Sequence, residues 1–308
     1  MANFLIMGAG GFIGQHLTTE LLSKGEQVTA VGHGVHILKK SEKLNIVSGE
    51  VNLALLDFIE KPDFIYFLLG GSSVASSMNS PMEDFNKTFL PLTALIEKLK
   101  HDWLDSHLIF ISSAAVYGDN ASRSTSINTK CKPLSVYGLH KLLAEQYINF
   151  HQRNFNIKAK IIRPFSIYGP GLKKQLIWDA LCKIKNQQHQ YFGSGLEERD
   201  WVHISDLVTL LIGMSENFAD FSDIINAGYG NGVRIKDIIS ILYQLKNVNR
   251  EPQFINKNKA GDPKHLASDA SEQIFMTKYH KKSLKEGLVE VVSWFDNVDI
   301  KINHKNIN

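Results

Sequence analysis

The chain has only two cysteines in 308 residues, Cys131 and Cys182, and neither has another cysteine at metal-ligand spacing. That excludes a disulfide framework and a cysteine-rich zinc site, and it fits a reduced compartment. No apolar run approaches the ~20 residues needed to cross a bilayer, and no basic segment precedes the apolar residues of the opening stretch MANFLIMGAG. A cytoplasmic protein without a membrane partner is therefore expected. Charge of one sign is also lacking: 34 basic and 31 acidic side chains leave a net charge of +3. The basic clusters Lys39-Lys40, Lys173-Lys174 and Lys281-Lys282 are short and read as solvated surface, so nucleic acid is not an expected partner. No repeat or low-complexity tract is present, and the polar tail from Lys301 is expected to fray.

What is present is an ordinary globular composition, 44% hydrophobic and 21% charged, in a chain long enough for one large domain or two smaller ones. Short apolar runs at 3–7, 27–31, 63–69, 106–112 and 158–164 alternate with helix-period stretches at 12–24, 82–101 and 136–153. Fully apolar strands separated by helices predict an α/β fold: a doubly wound parallel sheet with helices on both faces. After Pro164 the pattern loosens, with glycine-rich punctuation at YGPG, FGSG and NAGYGNG, which predicts a smaller α/β substrate-binding region. The expected division is residues 1–165 with about 200–226 in the first unit, and about 166–199 with 227–308 in the second.

The first apolar run leads into GAGGFIG, with Gly8, Gly11 and Gly14 between a strand and a helix. Glycines there permit a tight turn and close approach of a pyrophosphate, while the free N–H groups of the helix start, at Phe12 and Ile13, face the anion. The spacing is Gly-x-x-Gly-x-x-Gly, and its place after an N-terminal strand marks a dinucleotide site rather than a structural turn. An acid at the end of the second strand would bind the adenosine ribose diol; here that strand runs into Gly32-His33-Gly34, with His36, Lys39 and Lys40 close behind. The missing acid and the basic His33 favour NADP(H), with NAD(H) as the alternative.

Tyr137 and Lys141 stand one helical turn apart in SVYGLHKLLAEQ, and Ser113 ends a predicted sheet strand in SSAAVYG. A phenol near pKa ~10 is a poor base at neutral pH, and a neighbouring ammonium favours the phenolate. Lys141 is expected to supply that charge and to bond the nicotinamide ribose, while Ser113 holds the substrate oxygen and Tyr137 moves its proton. The competing reading is a buried tyrosine with Lys141 extended to solvent.

With these motifs in order, the sequence resembles the extended short-chain dehydrogenase/reductases, specifically the NAD-dependent epimerase/dehydratase family acting on nucleotide sugars. The resemblance runs through GAGGFIG, GGSSVASSMNSP, SSAAVYG, YGLHK, RPFSIYGPG, RDWVHISDL and AGDP. It implies a Rossmann-type fold, a catalytic trio of Ser113, Tyr137 and Lys141, and a nucleotide-diphosphate sugar as substrate. It further implies that Arg199 contacts the diphosphate, where a guanidinium offers a forked donor, against the alternative of a salt bridge with Asp200 or Glu198. Ser73 and Ser76, in the loop after the fourth strand, would line the sugar pocket. Two departures stand out: Lys259 replaces an arginine common in relatives, and Ser166 replaces an asparagine in the sugar pocket. Family analogy also implies a homodimer through helices 82–101 and 136–153.

Dehydratases of that family carry an acid pair where this chain has Ala114 and Ala115, and a methyl group cannot move a proton. Those that epimerise C3 and C5 use a cysteine and a histidine that have no counterparts after Ser113 and YGPG. The family resemblance then implies hydride transfer at C4 of the hexose. The absent ribose acid places a 4-keto-6-deoxyhexose reductase, in deoxysugar or surface polysaccharide biosynthesis, ahead of a nucleotide-sugar 4-epimerase with tightly bound NAD. The alternative from another class is a non-catalytic dinucleotide-binding module.

Overall fold

Strand β1 (Asn3–Met7) is buried on both sides because its apolar side chains alternate between two cores. Phe4 and Ile6 pack with Leu17 and Leu21 of α1 (Phe12–Ser23) and with Leu207 and Leu210 of α7 (Ile204–Glu216). Leu5 and Met7 pack on the opposite face with Leu92 and Leu95 of α4 (Pro81–His101) and with Ala144 and Ile148 of α5 (Val136–Phe155). The computed structural model describes residues 2–71, 73–119, 124–257, 261–272, 278 and 282–298. The expectations for Lys259, Lys281 and the tail from Lys301 fall outside those residues.

Around β1 the sheet has seven parallel strands in the order β10-β6-β5-β4-β1-β2-β3. They are β2 (Gln27–Gly32), β3 (Leu44–Ser48), β4 (Phe64–Phe67), β5 (His107–Ile111), β6 (Lys158–Pro164) and β10 (Ile224–Ala227). The fold is the expected Rossmann-type doubly wound sheet. Two strands add to the five expected: β3 is an edge strand with little burial, and β10 is four residues long. Strand order reverses between β1 and β4, so the crevice where such sheets bind ligands opens at the carboxyl ends of those two strands.

The later segments form a smaller layer over that crevice. Its strands β7 (Ser166–Tyr168), β9 (Glu198–His203), β11 (Gly232–Arg234) and β13 (His265–Leu266) make one small sheet, and β8 (Gln190–Tyr191) pairs with β12 (Gln253–Phe254). Helices α6 (Gln175–Lys185), α8 (Ile235–Leu245) and α9 (Leu284–Asp296) bury Leu181, Ile238, Leu242, Leu288 and Phe295 in a core of their own. Two short helices, α2 (Leu53–Leu56) and α3 (Val74–Asn79), follow β3 and β4 and rim the crevice.

Candidate active site

One cleft of about 1940 Å³ lies between the sheet and the smaller layer. Pockets for a single small ligand run up to about 1,000 Å³, so this cleft has room for two ligands side by side. Gly8, Ser113, Tyr137, Lys141, Ser166 and Arg199 all line it.

The glycine turn is fixed by close backbone contact. Gly8 has φ +95°, a conformation that favours glycine, and its N–H donates to Val31 O at 2.8 Å. A Cβ on Gly14 would collide with Gly8 O and lie 2.6 Å from Ala9 Cα, so the first turn of α1 rests directly on the turn before it. Gly11 caps α1 without a side-chain bond, leaving the N–H groups of Phe12 and Ile13 at an open helix start in the cleft wall. This cradle fits a pyrophosphate. Gly10 adds a contact that spacing alone did not reveal: a Cβ there would run into His33 O, so the loop after β2 closes onto the turn.

His33 lines the cleft, as do Gly49 and Glu50 beyond β3; His36, Lys39 and Lys40 do not appear among the lining residues. No acid stands at the end of β2, where the NADP(H) expectation looks for one; the carboxylate nearest in sequence on the cleft wall is Glu50, after β3. Glu50 follows β3, a strand that the apolar runs do not mark.

The serine pair at the end of β5 divides its work. Ser112 is buried and donates to Glu145, which also holds the Arg163 guanidinium at 2.6 and 3.0 Å. Breaking such a buried pair by removing one partner costs about 3–5 kcal/mol. Ser113 faces the cleft, and its Oγ accepts the Ala115 N–H at 3.1 Å at the head of a 3-10 turn, Ala114–Val116. Ala114 and Ala115 also line the cleft.

Tyr137 sits in the first turn of α5, whose N-cap Ser135 accepts the Gly138 N–H at 3.1 Å. Two further residues seat it. Its own N–H donates to Ser77 Oγ of α3 at 2.9 Å, and a Cβ on Gly138 would lie 2.5 Å from Ala115 O. The helix thus presses on the turn that carries Ser113. Burial raises the Tyr137 pKa, a hydrogen bond with Ser113 opposes that rise, and the negative charge of Asp84 adds to it. Lys141 does not extend to solvent. Its Nζ is buried, donates to Leu69 O at 3.2 Å and Ile111 O at 2.9 Å, and lies 5.0 Å from the Phe110 ring centre. Burial lowers its pKa to about 8 against the pull of Asp84 and Glu145, so the group remains largely an ammonium at neutral pH.

Ser73 and Ser76 are not simple loop hydroxyls. Ser73 caps α3, its Oγ accepting the Ser76 N–H at 3.0 Å, and Ser76 lies within that helix; both line the cleft. Ser166 on β7 and Arg199 on β9 stand on the opposite side. Arg199 is paired with neither the Glu198 nor the Asp200 carboxylate. Its guanidinium donates to Asp262 and, at 2.8 Å, to the carbonyl of Glu198. Asp200 is turned away and accepts from the Tyr229 and Gly230 N–H groups and from Ser268.

A doubly wound sheet with a glycine turn, and a serine, tyrosine and lysine opening on one cleft, define a dinucleotide-binding protein of the short-chain dehydrogenase/reductase type. The profile of the NAD dependent epimerase/dehydratase family matches residues 4–228, and the chain belongs to that family. The expectation of an enzyme stands with that membership. Among similar curated proteins, an uncharacterised UDP-glucose epimerase, YtcB of Bacillus subtilis, is 26% identical, the match covering 96% of this chain and 98% of that one. A UDP-glucuronate 4-epimerase of Thermodesulfobacterium geofontis is 25% identical over 96% of each chain. Among solved structures, UDP-glucuronic acid 4-epimerase from Bacillus cereus, in complex with UDP-glucuronic acid and NAD, superposes with a TM-score of 0.84 at 25% identity, covering 96% of this chain and 99% of that chain. Among the described residues, no helix is long and apolar enough to cross a membrane.

Proposed function

We propose that this chain is a 4-epimerase of UDP-sugars that uses NAD. The observation that carries the reading is the convergence of Ser113, Tyr137 and Lys141 on a cleft with room for two ligands, with Arg199 on its far side. The same residues would serve a reductase. The lack of an acid at the end of β2 favours NADP(H) and so a reductase. What outweighs it in favour of the 4-epimerase is that similar proteins are named as 4-epimerases and that a similar structure is solved with NAD.

Gly8, Gly11 and the N–H groups of Phe12 and Ile13 would hold the pyrophosphate, and Lys141 would bond the nicotinamide ribose. When bound, NAD supplies the oxidant and then the reductant for one sugar carbon. Ser113 holds the oxygen on that carbon by a hydrogen bond. Tyr137 takes the proton from the hydroxyl and later returns it, and the Lys141 ammonium stabilises the phenolate between the two events. Arg199 exchanges Asp262 for the sugar nucleotide's diphosphate, while Ser73, Ser76 and Ser166 surround the hexose. Dehydration is not part of this reading, because Ala114 and Ala115 carry no acid.

The protein acts as a homodimer through α4 and α5, whose Met82, Leu90, Leu139, Leu143 and Phe150 are exposed in the single chain. Light scattering at twice the monomer mass is the expected result, and a monomer at assay concentration refutes it. The functional test is incubation with UDP-glucose and UDP-glucuronate, following C4 epimers by chromatography and dinucleotide by absorbance. Interconversion of epimers without net dinucleotide turnover is expected. Stoichiometric NADPH consumption with a 4-keto-6-deoxy sugar nucleotide, and no epimers, overturns the proposal.

A further inference from the structure

Two consecutive glycines, Gly70 and Gly71, carry the chain out of β4 between charged groups from two different helices. A Cβ on Gly70 would lie 3.2 Å from Lys141 Nζ and 2.9 Å from Thr88 Oγ1; a Cβ on Gly71 would run into Asp84 Oδ1 and lie 2.6 Å from Asp84 Cγ. The ammonium and the carboxylate therefore flank one tight stretch of backbone, and each is in contact with it. Asp84 belongs to the first turn of α4, where a negative charge suits the helix dipole, and it is buried. Its Oδ2 accepts from His140 Nδ1 at 2.7 Å, and His140 is the residue before Lys141 on α5. The Phe85 ring meets the imidazole edge-on at 5.4 Å. One buried contact thus ties the start of α4 to the stretch of α5 that carries Tyr137 and Lys141.

We propose that Asp84, oriented by His140 and seated on Gly71, is a positioning residue of this site: it is the counter-charge that holds the Lys141 ammonium at the carboxyl ends of β4 and β5. Glu145, the other carboxylate near Lys141, already faces the Arg163 guanidinium through two bonds and accepts from Ser112. Its charge is matched, whereas Asp84 is paired only through a single imidazole bond among the described residues. The groups that face Lys141 are Asp84 from α4, Glu145 from its own helix, the Leu69 and Ile111 carbonyls, and the Phe110 ring. Two of the three ammonium N–H bonds go to those carbonyls.

The inference rests on Lys141 as the contact for the nicotinamide ribose, and NADH binding reads that contact without any sugar chemistry. NADH affinity, followed by fluorescence from neutral to alkaline pH, falls in the wild type as Lys141 loses its proton near about 8. Burial and the nearby Asp84 charge hold Tyr137 as a phenol through the same range, so the lysine dominates the change. Asp84→Asn keeps an acceptor for His140 and removes the charge; the midpoint then moves down by about one pH unit. Asp84→Asn with His140→Asn lets two amides pair, leaves no buried group unpartnered, and gives the same displacement should the single variant fail to fold. Glu83→Gln, a charge removed from the exposed neighbour, leaves the midpoint in place. A midpoint unmoved in both Asp84 variants, or moved equally by Glu83→Gln, overturns the inference. A displaced midpoint in the Asp84 variants together with wild-type protein that epimerises no UDP-sugar overturns the proposed function and leaves this inference standing.

Discussion

The cofactor side of the cleft is made of backbone in contact with backbone, whereas the opposite side is made of side chains that already hold one another. On the first side, Gly10 and Gly14 allow approaches that a Cβ would block, Gly8 holds a φ of +95°, and the helix start is open. On the second, the Arg199 guanidinium is already bonded to Asp262, and both residues line the cleft. Steric fit leaves a ligand nothing to displace. Paired charges must change partners, so the substrate side is where affinity and specificity are set by exchange.

The largest separation of the two sides is expected from Tyr137→Phe, which removes the proton carrier and leaves the glycine turn untouched. Turnover should fall by about 10²- to 10⁴-fold while NADH affinity changes by less than about twofold. Steady-state rates and fluorescence titration measure the two; unchanged turnover refutes the assigned role. Gly14→Ala attacks the other side. Its Cβ has no room beside Gly8 O and Ala9, so the turn must shift, at a cost of about 1–3 kcal/mol in stability and with a loss of NADH binding of about tenfold or more. Thermal melting and the same titration check it, and wild-type affinity would show that the cradle is not rigid.

Arg199→Lys is expected to act on the substrate side alone. A lysine keeps the charge and loses the fork, so KM for the UDP-sugar rises about tenfold with kcat and NADH binding nearly unchanged. A fall in kcat without a change in KM would place Arg199 among structural contacts instead.

How much of this was legible in the sequence follows the same division. Gly8, Gly11 and Gly14 could be read from spacing because a backbone cradle imposes residue type, and Tyr137 and Lys141 from helical phase. The apolar runs marked β1, β2, β4, β5 and β6 because strands buried on both faces have no polar alternation to blur them. β3 escaped because it is an edge strand with burial on few positions, and Glu50 escaped with it. The Asp262 partner of Arg199 is not legible in the sequence for a different reason: Asp262 is distant along the chain, and the pairing of β13 with β9 brings its loop to the guanidinium. Asp84 and His140 likewise come from separate helices, and neither residue has a local pattern that announces the contact.

The smallest effect tests the exchange itself. Asp262 is half exposed, so its bond to Arg199 is worth no more than about 1 kcal/mol, and a diphosphate with two charged oxygens competes well against it. Asp262→Asn removes the competitor's charge while leaving a neutral acceptor for the guanidinium. UDP should then bind about two- to fivefold more tightly in a calorimetric titration, with the gain reduced at high salt because the pair it replaces is screened. If Asp262 instead helps to orient Arg199 for the ligand, the same variant binds UDP more weakly, and the opposite side of the cleft is then preformed, as the glycine turn is.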